Sequence, residues 1–336
     1  MSKPEQHPAV KHGRIGVLLV NLGTPDAPDT ASVRRYLREF LMDRRIIEVS
    51  PLIWWPILFG PILTFRPKKS AAAYQKIWLS NPDESPLRRY TREQAERLQQ
   101  QQPEWVIDWA MRYGAPSIAS RIESLMAQGC DRLLVLPLYP QYSATTSASV
   151  TDAVFDTLKT MRWQPTLRVA HPWHDHPAHI DALVSQTREQ LAALEQEPEV
   201  LVLSFHGLPQ AYFDKGDPYY CHCQKTARLL REGLGWPKDR VRVTFQSRLG
   251  PTKWLQPYTA EVLEKLPEEG IKRIAVATPG FVSDCVETLE EIAIEARHGF
   301  LEAGGDVCDV LPCLNASDRS IEMLDKIVTQ ELQGWV

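Results

Sequence analysis

Residues 272–291 read KRIAVATPGFVSDCVETLEE. The apolar run that ends in Thr278-Pro279-Gly280 reads as a buried strand closed by a turn. The remainder reads as a helix over 285–303. On an α-helix Asp284, Glu287 and Glu291, at i, i+3 and i+7, share one stripe. The helix dipole favours acids in a first turn, which accounts for Asp284 and Glu287 but not for Glu291, two turns in. Three aligned carboxylates can hand a cation or a proton from one to the next. The neighbouring Glu290 and Glu295 fall on other stripes and read as solvated.

The same strand-then-helix alternation runs along the whole chain. Candidate strands occupy 14–23, 104–114, 131–140, 166–173, 199–207, 239–247 and 272–280. Helical patterns occupy 31–42, 87–101, 115–128, 178–195, 224–234, 257–266 and 285–303. Near-continuous Val, Ile, Leu and Ala in several strands indicates parallel sheets covered on both faces. A weak repeat pairs LLVNLGTP (18–25) with VLSFHGLP (202–209), and DRLLVLP (131–137) with KRIAVAT (272–278). The fold expected is therefore α/β, with two Rossmann-like domains, each a parallel sheet flanked by helices, and a cleft between them. Residues 14–160 form the first domain, carrying an apolar insertion at about 50–85 and completed by a C-terminal helix at 316–333. Residues 161–315 form the second.

Composition narrows the function. The 336 residues carry a formal net charge of -4, with 43% hydrophobic and 24% charged residues, ordinary for a soluble globular protein and without the basic footprint of a nucleic-acid binder. Six scattered cysteines and a polar start, MSKPEQHPAVKHGR, fit a cytoplasmic protein with reduced thiols and a frayed amino terminus. The run LIWWPILFGPILTF at 52–65 is too short and too rich in Pro and Gly to span a bilayer. It reads either as a partly buried loop-helix or as an exposed apolar lip that grips a greasy ligand or rests on a membrane surface. No G-x-G-x-x-G follows the first strand, so nucleotide binding is not expected.

His206 stands at the end of an apolar strand, where α/β domains present working side chains, although a core histidine bonded to backbone is the competing reading. Facing the three acids, it would complete a mixed nitrogen and oxygen site open to exchange. Cys221-His222-Cys223 lacks the spacing of a tetrahedral metal site, and His171, His174, His176 and His179 read as a solvated loop.

Taken in order, LLVNLGTPDAP, FLMDRRIIE, MRYGAPSI, LPLYPQYSATT, LSFHGLP, GDPYY, FQSRLGPTKWLQPYT, PGFVSDCVETLEEI and LNAS resemble the ferrochelatase family over nearly the whole chain. The resemblance implies an enzyme that inserts Fe2+ into protoporphyrin IX, yielding protohaem and two protons at the end of haem biosynthesis. It implies His206 and Glu287 as the catalytic and metal-binding pair, with Asp284 and Glu291 as a metal and proton path. Arg112 and Tyr113 match the opposite cleft wall. Leu22, Arg66, Lys69, Tyr74, Ser247 and Trp254 match porphyrin-binding positions. Cys285 replaces a histidine of animal members, and Ala144 replaces a cluster cysteine. No cysteine-rich tail follows, so no cofactor beyond the substrate iron and no iron–sulfur cluster is expected. The partners implied are protoporphyrin and ferrous iron, with peripheral membrane contact through 52–65. A chelatase for coproporphyrin or sirohydrochlorin, and a non-catalytic tetrapyrrole carrier, are the alternatives.

Overall fold

A computed structural model describes residues 10–248, 250 and 252–336. The first nine residues of the polar amino-terminal stretch, and Leu249 and Pro251 of FQSRLGPTKWLQPYT, lie outside the described residues.

Four parallel strands build the first sheet: β1 (Arg14–Gly23), β4 (Val106–Tyr113), β5 (Cys130–Pro137) and β6 (Thr166–Val169), in the order β4-β1-β5-β6. Between β1 and β4 lie α1 (Thr30–Met42), α2 (Pro51–Ile57), α3 (Leu63–Ile77), the two-residue pair β2 (Leu79–Ser80) and β3 (Asp83–Glu84), and α4 (Pro86–Gln101). Helices α5 (Ile118–Ala127) and α6 (Ser149–Lys159) complete this half. The second sheet holds β7 (Val200–His206), β8 (Val241–Gln246), β9 (Arg273–Ala277) and β10 (Val307–Val310), in the order β10-β9-β7-β8. Its helices are α7 (Pro177–Ala192), α8 (Gln210–Asp214), α9 (Tyr219–Leu234), α10 (Thr259–Lys265) and α11 (Arg297–Glu302), followed by α12 (Asp318–Glu331). Strand for strand the two orders are the same. In each sheet the first strand lies between the second and the third, so the order reverses there, which is where such folds place ligands.

Local chemistry explains the boundaries. Val17 to Val20 of β1 are fully buried between β4 and β5. Asp29 caps α1 by accepting from Ala31 N at 2.7 Å and Ser32 N at 3.0 Å, and Ser317 caps α12 through Ser320 N at 3.2 Å. Gly235 ends α9 in the left-handed region. Gly23 has φ 113° and lies so near β4 that a Cβ there would sit 1.9 Å from Tyr113 O. One hydrophobic cluster runs from Leu19 and Leu136 through Leu201 and Phe205 to Leu324, joining both halves, and α12 packs on both α4 and α7.

Several elements differ from the sequence expectation. Strand β10 was not expected, because its four residues mix polar and apolar types. The insertion resolves as an exposed lip: Leu52 is 86% and Phe65 74% exposed, and α2 buries none of its residues. A five-residue π-turn, Leu58–Ile62, joins α2 to α3, with Gly60 off helical geometry. Trp54, donating Nε1 to Leu41 O at 2.7 Å, and fully buried Leu58 pin the lip down. The expected solvated histidine loop is a correction: His174 and His179 are buried. His174 stacks on His222 of α9 at 3.7 Å, and His179 meets Trp173 of the loop itself edge-on at 5.0 Å. No helix among the described residues is long and apolar enough to cross a membrane.

Candidate active site

The switch point of the second sheet lies between β7, which ends in His206, and β9, which leads to Thr278-Pro279-Gly280. His206 Nδ1 lies 2.6 Å from the carbonyl oxygen of Gly207. A carbonyl can only accept, so Nδ1 carries the proton and Nε2 of the neutral ring keeps a lone pair. A Cβ on Gly207 would fall 2.6 Å from Gln246 O and 3.3 Å from Trp254 Cε3, so the missing side chain lets the Trp254 ring lie over the backbone beside His206.

In the acidic segment the winding differs from the expectation. Residues Glu287–Ala296 form a π-helix that runs into α11, and Asp284 precedes it. The three acids therefore do not share one stripe. A π-helix of this length is unusual and such windings concentrate at functional sites. Asp284 is buried, accepting from Asn315 Nδ2 at 2.6 Å and Thr288 Oγ1 at 2.8 Å. Glu291 is held by Ser247, whose N–H donates at 2.6 Å and whose Oγ donates at 2.5 Å. Burial pushes the Glu291 carboxyl above its usual value, while Ser247 and the nearby His206 oppose the shift and Glu287 adds to it. Glu287 is partly buried and presents its carboxylate toward Tyr36, Tyr74 and Tyr139, whose hydroxyls burial pushes upward with Glu287 contributing. The Cys285 thiol, raised by burial and then by Glu287, is that carboxylate's side-chain partner. Glu290, expected in solvent, is buried and paired with Lys76 of α3 at 2.5 Å.

Gln246 ties these elements together. It pairs with His206 across β7 and β8, accepts from Ser204 Oγ at 2.8 Å, and donates Nε2 to the Glu287 carbonyl at 2.8 Å. The amide thus docks the start of the π-helix beside the histidine. Sequence reasoning passed over Gln246; its place near the end of the strand expected over 239–247 was the available signal.

Arg112 and Tyr113 end β4 in the first half. Arg112 donates Nη2 to Asp43 Oδ2 at 2.6 Å and Nε to Ser149 Oγ at 2.7 Å; Tyr113 donates to the same Asp43 oxygen at 2.8 Å. Burial works against the Asp43 carboxylate, but donors from Ser149, Arg45, Tyr113 and Arg112 keep it below its ordinary value. Both residues therefore brace the wall, Tyr113 with its one hydroxyl proton and Arg112 with Nε and Nη2. The neighbouring Tyr139 hydroxyl is buried with no hydrogen-bond partner among the described residues.

The remaining sites divide. Leu22 packs against a cluster that includes Tyr36, Leu58, Tyr74, Tyr113 and Leu289, under the lip. Tyr74 is itself buried there, edge-on to Tyr36 at 6.5 Å, so it is a core residue with its hydroxyl turned to Tyr36 and Thr24. Ser247, expected at a propionate, is committed to Glu291. Arg66 is half-buried on α3, its guanidinium pulled down by burial, and forms no ion pair among the described residues; Lys69, three residues on, is exposed. Cys221 is exposed and Cys223 buried, so the two thiols of Cys221-His222-Cys223 diverge on α9. Among the described residues no three His, Cys, Asp or Glu side chains are grouped to hold a metal ion.

Comparison with known proteins supplies the family. The ferrochelatase family profile matches residues 14–332. A ferrochelatase of Rhizobium meliloti (strain 1021) is 58% identical over 339 residues, covering 100% of both chains. One of Agrobacterium fabrum is 57% identical over 336 residues, covering 99% of this chain and 98% of its own. Among solved structures, SirB from Bacillus subtilis with Fe3+ aligns at TM-score 0.59 with 12% identity, over 96% of this chain and 97% of its own. A multi-domain Deinococcus radiodurans protein with structural similarity to chelatases aligns at TM-score 0.55 and 12% identity, over 95% of this chain and 56% of its own. At such identity these two structures speak to the fold alone.

Proposed function

The chain belongs to the ferrochelatase family, and we infer that its reaction, insertion of Fe2+ into protoporphyrin IX with release of two protons, takes place between His206 and Glu287. The observation that carries this assignment is the Nδ1 contact to Gly207 O, which leaves the Nε2 lone pair of His206 as the available base. Two pyrrole protons must leave the macrocycle, and an imidazole nitrogen with an unengaged lone pair is suited to take them. Glu287, docked beside it by Gln246, is the second acceptor and the first oxygen ligand that entering iron meets.

Binding a flat ring in a bent state exposes its nitrogen lone pairs, and contacts remote from the metal offset the distortion. Trp254, Leu22 and the lip provide apolar contact. Arg66, with no internal ion pair, and exposed Lys69 take the propionates through charge-assisted hydrogen bonds. Tyr74 and Ser247 lie behind this surface and shape it. Arg112 and Tyr113, braced by Asp43, form the wall opposite His206. Glu291, partly buried near His206, continues the path for iron or protons from Glu287.

Iron is the substrate here, and the reaction needs no resident cofactor; with Ala144 in place of a cluster cysteine, the chain works without an iron–sulfur cluster. The enzyme acts in the cytoplasm, resting the exposed lip on a membrane surface. The deciding experiment is anaerobic turnover of His206→Ala and Glu287→Gln with Fe2+ and protoporphyrin, alongside porphyrin binding by fluorescence quenching. Each variant loses on the order of 10²–10⁴-fold in kcat while still binding porphyrin. Near-normal turnover in both removes the proposed centre.

A further inference from the structure

Among the described residues only two non-glycine residues have positive φ, Ser247 at 68° and Asn315 at 51°. Each holds one of the two acids flanking Glu287. Ser247 holds Glu291 from β8's end. Asn315 lies far along the chain, after β10, yet meets the segment that enters the π-helix with nearly every polar group it has. Its N–H donates to Val282 O at 2.8 Å, its Oδ1 accepts from Asp284 N at 2.8 Å, and its Nδ2 donates to Asp284 Oδ2 at 2.6 Å. Its own carbonyl accepts Gln94 Nε2 from α4 at 2.7 Å, and the same amide donates to Ser283 Oγ at 3.2 Å.

We propose that Asn315 is a positioning residue for the metal-insertion centre, acting through Asp284 to fix where the Glu287 π-helix begins. Asparagine is among the few non-glycine residues that accept the left-handed region, and strain of this kind persists where surrounding bonds over-determine it. Asp284 in turn takes Thr288 Oγ1, and Thr288 Oγ1 accepts from Cys285 N at 3.1 Å, so the residues on either side of Glu287 are tied to one knot. Gln94 extends that knot into the first half of the molecule. On this account Asp284 is a hydrogen-bond hub, both of whose oxygens already accept from side chains, and not a step through which iron passes. The inference rests on the assignment of His206 and Glu287 made above, which His206→Ala tests separately: turnover surviving in that variant sinks the centre, whereas the exchange below bears only on Asn315.

The Asp284–Asn315 pair can be exchanged. In the single variant Asp284→Asn the amide offers one acceptor oxygen where the carboxylate has two, so the bonds from Asn315 Nδ2 and Thr288 Oγ1, which fall on different oxygens, cannot both be kept. In the double variant Asp284→Asn with Asn315→Asp, every hydrogen bond of the pair can re-form with the negative charge moved to position 315. In anaerobic Fe2+ insertion by the full chain, Asp284→Asn should lower kcat on the order of 100-fold with the porphyrin KM nearly unchanged, since small misplacement of a reacting group costs that much. The double variant should recover most of the loss. Asn315→Gly, which relieves the backbone but removes the clamp, should behave like Asp284→Asn. If the double variant folds with the parent's melting temperature yet stays as inactive as Asp284→Asn, the charge at 284 is itself required and the proposal fails. It fails equally if Asn315→Gly keeps full kcat. Should Asp284→Asn not fold, the double variant and Asn315→Gly still decide.

Discussion

The side-chain amide of Gln246 donates to the backbone carbonyl of Glu287 at 2.8 Å while Gln246 stands in register with His206 on the adjoining strand. A single buried amide therefore sets the spacing between the histidine and the acid that the reaction needs. Gln246→Leu should leave Ser204 Oγ and the Glu287 carbonyl without this partner, costing about 1–3 kcal/mol of stability. It should also lower kcat without a matching change in porphyrin affinity. Urea unfolding and steady-state insertion measured on the same preparation check both parts.

Ser247 presents a different kind of control, over proton affinity. Removing its hydroxyl in Ser247→Ala takes one of two donors from Glu291, whose carboxyl burial already pushes upward. The carboxylate becomes harder to form, so the acid limb of the activity profile should move to higher pH. Glu291→Gln should mainly raise the Fe2+ concentration needed for half-maximal rate. A profile unmoved in the first variant and an unchanged iron dependence in the second would both count against Glu291 as a path residue.

Two buried histidines make stability depend on acid. Burial, then the neighbouring His222, pulls His174 down to about 4, and burial pulls His179 down to about 3. Both bind protons less readily folded than unfolded, so their contribution is complete above the unfolded value of about 6.5 and is lost as pH falls toward the folded values. The slope reaches about 1.4 kcal/mol per pH unit for each group. Unfolding titrations at several pH values should show this loss, and His174→Gln should flatten it.

The lip should separate binding to lipid from chemistry. Trp55 and Phe65 are 50% and 74% exposed, and burying one such side chain is worth about 1.5–3 kcal/mol. Trp55→Ser with Phe65→Ser should reduce association with anionic vesicles at least tenfold, by roughly that arithmetic, with thermal stability unchanged. Sedimentation with vesicles is the measurement, and equal pelleting of both proteins would end the membrane reading.

Gly23→Ala tests the junction of β1 and β4. With φ 113° and a Cβ 1.9 Å from Tyr113 O, the methyl group forces the strands apart. A loss of at least about 2 kcal/mol is expected, with a lower melting temperature.

Much of this architecture was legible beforehand, and the reasons differ by element. The apolar runs of β1, β5, β7 and β9 announce parallel strands because both faces are buried, and the repeat between halves reappears as one strand order used twice. His206 and the acidic segment were recognisable from residue type at a strand end. The π winding was not, since a ten-residue pattern of apolar positions does not distinguish i→i+4 from i→i+5 bonding. Asp284 could not be separated from Glu287 and Glu291 because its partner, Asn315, lies 31 residues away. The same holds for Glu290 with Lys76 and for His174 with His222, where burial comes from a surface supplied by another element.

Helix α2 buries none of its residues and is pinned by Trp54 at its middle and by Leu58 just past its end. Substitutions on its outer face are consequently almost free of any folding penalty. This stretch can drift, or be redesigned, to suit membranes of different composition or to yield a more soluble enzyme, while the reacting pair behind it is left undisturbed.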